Sequence, residues 1–520
     1  MSVFRTKSIE QSIRDTDDPD TKLRKELSAL DLTVFGVGVI IGAGIFVLTG
    51  TVAATNSGPA LALSFMIAAL ACGLAGLCYA EFASTVPVAG SAYTFSYATL
   101  GELVAWTIGW DLVLEFTIGS AALAAGFSGY FQTVLEIIGI ELPTQISSAS
   151  DGFINLPAVV IALLVMGLLI RGTKESSTFN LIVVGIKLLV IAIVIVVGLT
   201  LVDVGNWTPF IPESQPTPDS GGGFRDLPLI TSILGVEPAV FGLGGVIAGA
   251  AVVFFAFIGF DVVATTAEEA KNPQRDVPIG ILSSLAIVTV LYAAVSLVVT
   301  GVQSYKDIDP LDAAPLATAF EAAGVTWVRD VVAVGACIGL IVVCMILMLG
   351  QSRVAFAMAR DGLLPRGLAR THPRYGTPHR ITLITGVVVA VLAGFLDLET
   401  LSNLVNIGTL FAFILVSIGV LVLRRTRPDL PRAFRTPFAP VVATLAVLMC
   451  FYLMLNLTGE TWERFAIWMA IGFVVYFAYG RRHSRLRLEG DVADRPEGHP
   501  LAKDGDAAGD VSRAPDPKRD

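Results

Sequence analysis

The chain has 520 residues, of which 54% are hydrophobic and only 15% charged, with 35 Lys and Arg against 44 Asp and Glu. A soluble protein of this size would carry roughly 25% charged residues, so a large water-soluble fold is excluded and a polytopic helical membrane protein is expected. The net charge of −9, with no basic cluster interleaved with aromatics, excludes a nucleic-acid surface.

In chain order, residues 1–30 are polar and mixed in charge. They hold no short apolar core before a small-residue cleavage site, so no cleaved signal peptide is expected and the first apolar segment acts as the insertion signal. Twelve apolar segments follow, near 31–54, 59–83, 101–131, 156–170, 179–202, 246–270, 278–302, 328–358, 381–396, 401–423, 437–456 and 461–480. Each is read as a candidate membrane span, the fourth and ninth being short and the third and eighth long enough to tilt. The connection 203–245 is rich in Pro and Gly, and reads either as a cover over an outer vestibule or as a plain connector. Residues 481–520 are polar and without apolar periodicity, and are expected to be a disordered tail.

Lys and Arg concentrate in alternate connections. The N-terminal tail carries Arg5, Lys7, Arg14, Lys22, Arg24 and Lys25. The connection after segment 4 has Arg171 and Lys174, that after segment 6 has Lys271 and Arg275, and those after segments 8 and 10 carry five arginines each. The other connections hold only Arg225, Lys306, Arg329 and Arg464. Both termini are therefore expected in the cytoplasm.

The five cysteines (Cys72, Cys78, Cys337, Cys344, Cys450) lie inside apolar segments and read as small buried hydrophobes. The four histidines (His372, His379, His483, His499) lack metal-ligand spacing. No metal and no cofactor is expected, and no nucleophile–base set suggests an enzyme.

Two segments are interrupted by glycine at corresponding places in the two halves: GVGVIIGAGIF over 36–46 and FFAFIGFD over 254–261. Glycine weakens a helix and frees backbone groups, which in lipid are tolerated only where they line a cavity or are buried in protein. Such a pair is the best sequence-level pointer to a transporter's midplane site. The break at Gly42-Ala43-Gly44 would offer N–H groups to a carboxylate, and the break around 256–259 would offer carbonyls to an ammonium. Together they match the two ends of an α-amino acid. The competing reading, close packing of small faces, suits Ala71, Gly73 and Gly76 better than the Gly42/Gly44 cluster.

Ionisable residues within the segments are functional candidates. Asp111 and Glu115 share one face of segment 3 at a spacing of four. Lys187, the only lysine inside a segment, and Asp261 lie at similar depth and are expected to pair, with Glu115 nearby. The pair reads either as a proton switch or as a static ion pair. Glu81, Glu268 and Glu269 lie near segment ends and are expected to be solvated.

The stretches GVGVIIGAGIFVLTG, CYAEFASTVPVAGSAYTFSYATLGE, RGTKESSTFN, FFAFIGFDVVATTAEEAKNPQRDVPIGI and GQSRVAFAMARDGLLP resemble the cationic amino acid transporter family, within the amino acid–polyamine–organocation superfamily. The resemblance runs from about Leu30 to Gly480. It implies an all-α LeuT-like fold: a first repeat over 31–202, a second, inverted repeat over 246–423, and two appended helices over 424–480. It also implies a proton-coupled amino acid importer in the cell membrane. Carried over by position, its carboxylate turn falls on Ile41, Gly42, Ala43 and Gly44, and its amino-group and side-chain contacts on Phe255, Ala256 and Ile258. Its segment-5 lysine falls on Lys187, which favours the proton switch over the static pair, and its acidic partners on Glu115 and Asp261. Leu340 matches a position that limits side-chain room and favours small or medium neutral amino acids. The expected partners are an L-amino acid and the lipid bilayer, with no nucleic acid. The chain is expected to be a monomer, with room for a small single-span membrane subunit. The alternatives are an exchanger of cationic amino acids or polyamines and, from another class, an amino-acid sensor.

Overall fold

A computed structural model describes residues 25, 27–85, 91–150, 152–172, 177–216, 223–235 and 239–485. The basic residues Arg5, Lys7, Arg14, Lys22, Arg24 and Lys174, and the tail beyond 485, lie outside the described residues. Among those described, seven helical stretches are long and apolar enough to cross a membrane, and four shorter apolar helices accompany them. The chain is thus a helical, multi-pass membrane protein.

Segment 1 is split into α1 (Ala29–Ile40), α2 (Ala43–Phe46) and α3 (Leu48–Val52). A Ser28–Asp31 capping box starts it: Ser28 Oγ accepts from the Asp31 N–H, and the Ser28 N–H donates to Asp31 Oδ2 at 2.9 Å. Gly58, at φ +56°, and Pro59 precede α4 (Leu61–Thr85). Then come α5 (Ser91–Thr99), α6 (Glu102–Ile137), α7 (Leu156–Arg171) and α8 (Ser177–Leu199). Segment 6 is split as well. A helix α9 (Gly242–Val253) passes into a tight 3-10 turn, Phe254–Phe257, and resumes as α10 (Phe260–Thr265) after Gly259. The rest follows as α11 (Pro273–Val302), α12 (Thr326–Arg360), α13 (His379–Phe395), α14 (Leu398–Thr426), α15 (Ala439–Leu455) and α16 (Gly459–Val475).

Helix α6 packs against α12 and α14, and α11 packs against α1 and α4. The two broken segments are tied at one end by backbone: the Leu27 N–H donates to Glu269 O at 2.9 Å and the Lys271 N–H to Leu27 O at 2.8 Å. The last helix is fastened to α6 by indoles. Trp110 stacks on Trp468 at 4.5 Å, and Trp106 donates to Gly472 O at 3.0 Å. The connection 203–245 holds to its surroundings by backbone bonds: the Gly459 N–H donates to Leu227 O and the Phe241 N–H to Asn56 O, both at 3.0 Å.

Two expectations are corrected here. Glu81 is not solvated. It is 1% exposed and takes a fork from Arg424 at 2.8 and 2.6 Å, with Arg432 at 3.5 Å and the Thr436 N–H at 2.9 Å. The arginines after segment 10 reach back to neutralise it, which offsets the cost of burying its charge. The start of the expected tail is also docked: buried Ser484 donates to Glu102 Oε2, and the Arg485 N–H donates to Asp361 O at 3.0 Å.

Candidate functional site

The two breaks meet. Gly44 stands against the backbone of Ala256 so closely that a Cβ on Gly44 would overlap Ala256 Cα and Cβ, with Ala256 N at 2.9 Å. Gly259 lies at φ +111°, where side-chain-bearing residues are strained, and a Cβ there would come 2.7 Å from Val39 Cγ1. Glycine is therefore required twice over: for the approach of segment 1 to segment 6, and for the turn that restarts segment 6.

Ile41, Gly42, Ala43 and Gly44 are all buried. They leave the helical path at Ile41, whose ψ is 94°, and restart it at Ala43. Restarting leaves the first N–H groups of the second half without intrahelical partners. Phe255, Ala256 and Ile258 are buried too, at 7%, 1% and 8% exposure, in the 3-10 turn and the residue after it. Ile258 is extended, at ψ 139°. Leu340, fully buried on α12, faces the same region: a Cβ on Gly126 would meet Ala43 Cβ at 3.3 Å and Leu340 Cδ1 at 3.9 Å. The structure thus brings Gly44 against Ala256 and Ala43 near Leu340, with Ile41, Gly42, Phe255 and Ile258 beside them in the two breaks.

Lys187 is buried at 1% exposure on α8. Its Nζ donates to Gly38 O at 2.7 Å and to Ile41 O at 2.9 Å. These are carbonyls at the C-terminal end of α1, where helical partners run out and the dipole is negative. Gly339 makes room for the lysine stem, since a Cβ there would lie 2.8 Å from Lys187 Cε.

The expected Lys187–Asp261 pair does not form. Among the described residues no carboxylate lies within ion-pairing distance of Lys187, whose charge is met by backbone carbonyls. Asp261 and Glu115 are each 1% exposed and Asp111 is fully buried, and none of their carboxyl oxygens has a hydrogen-bond partner among the described residues. Glu115 lies within electrostatic reach of both Asp261 and Asp111, and the equally unpartnered Tyr79 hydroxyl within reach of all three. Lysine and acids thus form two separate centres. The Asp261 carboxyl, two residues after Gly259, is thus not committed to Lys187.

Two polar residues at the breaks escaped the sequence reading. The Tyr292 hydroxyl, from α11, reaches Ile40 O at 2.7 Å and Ala256 O at 2.9 Å. Asn406, from α14, donates through Nδ2 to Ala251 O at 2.9 Å and to Val252 O at 3.1 Å, just before the segment-6 break. The signal for both was present. A tyrosine or asparagine inside an apolar segment needs a buried partner, and freed carbonyls at a break are such partners.

Residues 27–476 match the amino acid permease family. A methylthioribose transporter of Bacillus subtilis is 45% identical over 489 residues, covering 93% of this chain and 99% of the relative. A branched-chain amino acid permease of the same organism is 46% identical over 491 residues, with 93% and 99% covered. A vacuolar cationic amino acid transporter of Arabidopsis thaliana is 41% identical over 431 residues, covering 82% of this chain and 68% of the relative.

Proposed function

Since the chain belongs to the amino acid permease family, within the amino acid–polyamine–organocation superfamily, we propose that it imports neutral L-amino acids of small to medium size together with protons, by alternating access across the cell membrane. The observation that carries this reading is the meeting of Gly44 with Ala256. It supports a single site between two interrupted helices, the arrangement in which secondary transporters hold substrate. We read segments 1–5 and 6–10 as inverted repeats, segments 11 and 12 as appended, and both termini as cytoplasmic.

In this reading the substrate carboxylate lies beside Ile41, whose own N–H donates to Val37 O at 3.0 Å, and takes N–H groups at Gly42, Ala43 and Gly44, while its ammonium takes carbonyls at Phe255, Ala256 and Ile258. Leu340 bounds the side chain. Protonated Lys187 holds the end of α1 through Gly38 O and Ile41 O. Release of its proton to the cytoplasm weakens both bonds, because hydrogen bonds from a charged donor are about twice as strong as neutral ones. Helix α1 is then free to swing and open the site inward. Reprotonation from outside restores the hold. Glu115 and Asp261 serve as a second, carboxyl-based proton store. The branched-chain permease among the relatives supports an aliphatic substrate.

The test is uptake of labelled leucine into proteoliposomes under an inward proton gradient, with and without sodium. Uptake that ignores the gradient and follows sodium refutes the coupling. A second reading, exchange of cationic amino acids, is favoured by the unpartnered Asp261 carboxyl. Competition by arginine, with transport only into vesicles preloaded with amino acid, would establish it instead. Competition by methylthioribose, the solute named for another relative, completes the panel.

A further inference from the structure

Tyr292 supplies the site with a hydroxyl that neither the substrate contacts nor the proton step employs. The side chain is fully buried. Its two acceptors belong to different breaks: Ile40 ends α1, and Ala256 lies in the turn of segment 6. A phenol carries one proton, so the two carbonyls compete for one donor. The ring is held by Phe65 and Phe257, each with its centroid 5.3 Å away. Only the O–H torsion is free to choose between acceptors. Lys187 takes Gly38 O and Ile41 O, which leaves Ile40 O, between them, to Tyr292.

We propose that Tyr292 couples arrival of a substrate ammonium at segment 6 to the hold on segment 1. It is a positioning residue. An ammonium donating to Ala256 O satisfies that oxygen, and the Tyr292 O–H turns to Ile40 O. Filling the second break thereby tightens the tie on the end of α1 while substrate is aboard. No covalent bond changes; one hydrogen bond moves between acceptors. The inference rests on the reading of Ala256 as an ammonium acceptor.

The test compares binding and uptake of leucine with competition by 4-methylpentanoate, the same skeleton without the amine, using the purified full chain. Tyr292→Phe keeps the ring and removes the donor. It leaves Ala256 O to the ligand alone, so leucine should bind about two- to tenfold tighter while maximal uptake falls about tenfold. Affinity for 4-methylpentanoate should stay unchanged. A ring-difluorinated tyrosine at position 292, a stronger donor, should move leucine affinity the other way and keeps the test open if Tyr292→Phe does not fold. Equal losses for both ligands, or no change in their ratio in either variant, overturn the inference alone. A wild-type chain that binds no leucine overturns the substrate reading and the inference with it.

Discussion

Replacing Gly44 by alanine adds one methyl group at the closest approach in the site. The new Cβ would overlap Ala256 Cα and Cβ, and these atoms belong to backbone and a short side chain, so they cannot swing aside. The two half-helices must separate. Overpacking of this kind costs about 1–3 kcal/mol, and alanine recovers at most about 1 kcal/mol through helix propensity. The net penalty reaches about 2 kcal/mol against the state in which the breaks touch, or roughly a 30-fold loss of its population. Gly185→Ala on α8 is the matched control, because no atom lies within 4 Å of its added Cβ. Both variants and the wild type would be reconstituted and assayed for leucine uptake. Gly185→Ala should match the wild type, while Gly44→Ala should raise KM or lower maximal uptake by about tenfold or more. If the two variants transport alike, the contact between the breaks is not the substrate site.

Three further outcomes are expected. Lys187→Met keeps the stem but strips Gly38 O and Ile41 O of their side-chain donor. It should abolish gradient-driven accumulation while leaving some counterflow, and full accumulation would remove Lys187 from the coupling step. Glu81→Ala strips the 5%-exposed Arg432 side chain and the 29%-exposed Arg424 side chain of their carboxylate, leaving them only backbone carbonyls such as Leu423 O and Thr436 O. With allowance for that exposure the cost is about 2–3 kcal/mol, read as a lower melting temperature, and an unshifted melt would count against the clamp. Burial holds the Asp312 carboxyl, in the connection after α11, above its ordinary range. The fold therefore favours its protonated form, and stability is lost as pH rises from the unfolded value through the raised one. Asp312→Asn should melt higher than wild type near pH 7 and no higher near pH 4; a gap that is constant with pH contradicts this.

How far the sequence could be read depended on how local each signal was. Gly42, Gly44 and Gly259 were legible because a glycine interruption in an apolar run has few explanations in lipid, and the structure puts Gly44 and Gly259 where a side chain would not fit. The partner of Lys187 was not legible. Similar depth along two helices says nothing of rotation about their axes, so the nearest acid in sequence-derived depth was taken for its counter-ion. The end of α1 provides the negative charge instead, through carbonyls that every residue carries and no composition reveals. Glu81 failed for a related reason. Arg424 and Arg432 were counted as topology signals, and a charge that marks a cytoplasmic loop can also fold back and bury its partner. Tyr292 and Asn406 mark the opposite limit. Each was a visible polar residue in an apolar segment, but its role depended on freed carbonyls in another segment, so it became readable only once the break and the helix crossing it were seen together. Three side chains from α8, α11 and α14 thus donate to carbonyls at the two interruptions. In lipid an interruption is stable only when neighbours do this, so the helices that carry Lys187, Tyr292 and Asn406 are as necessary to the site as the broken ones.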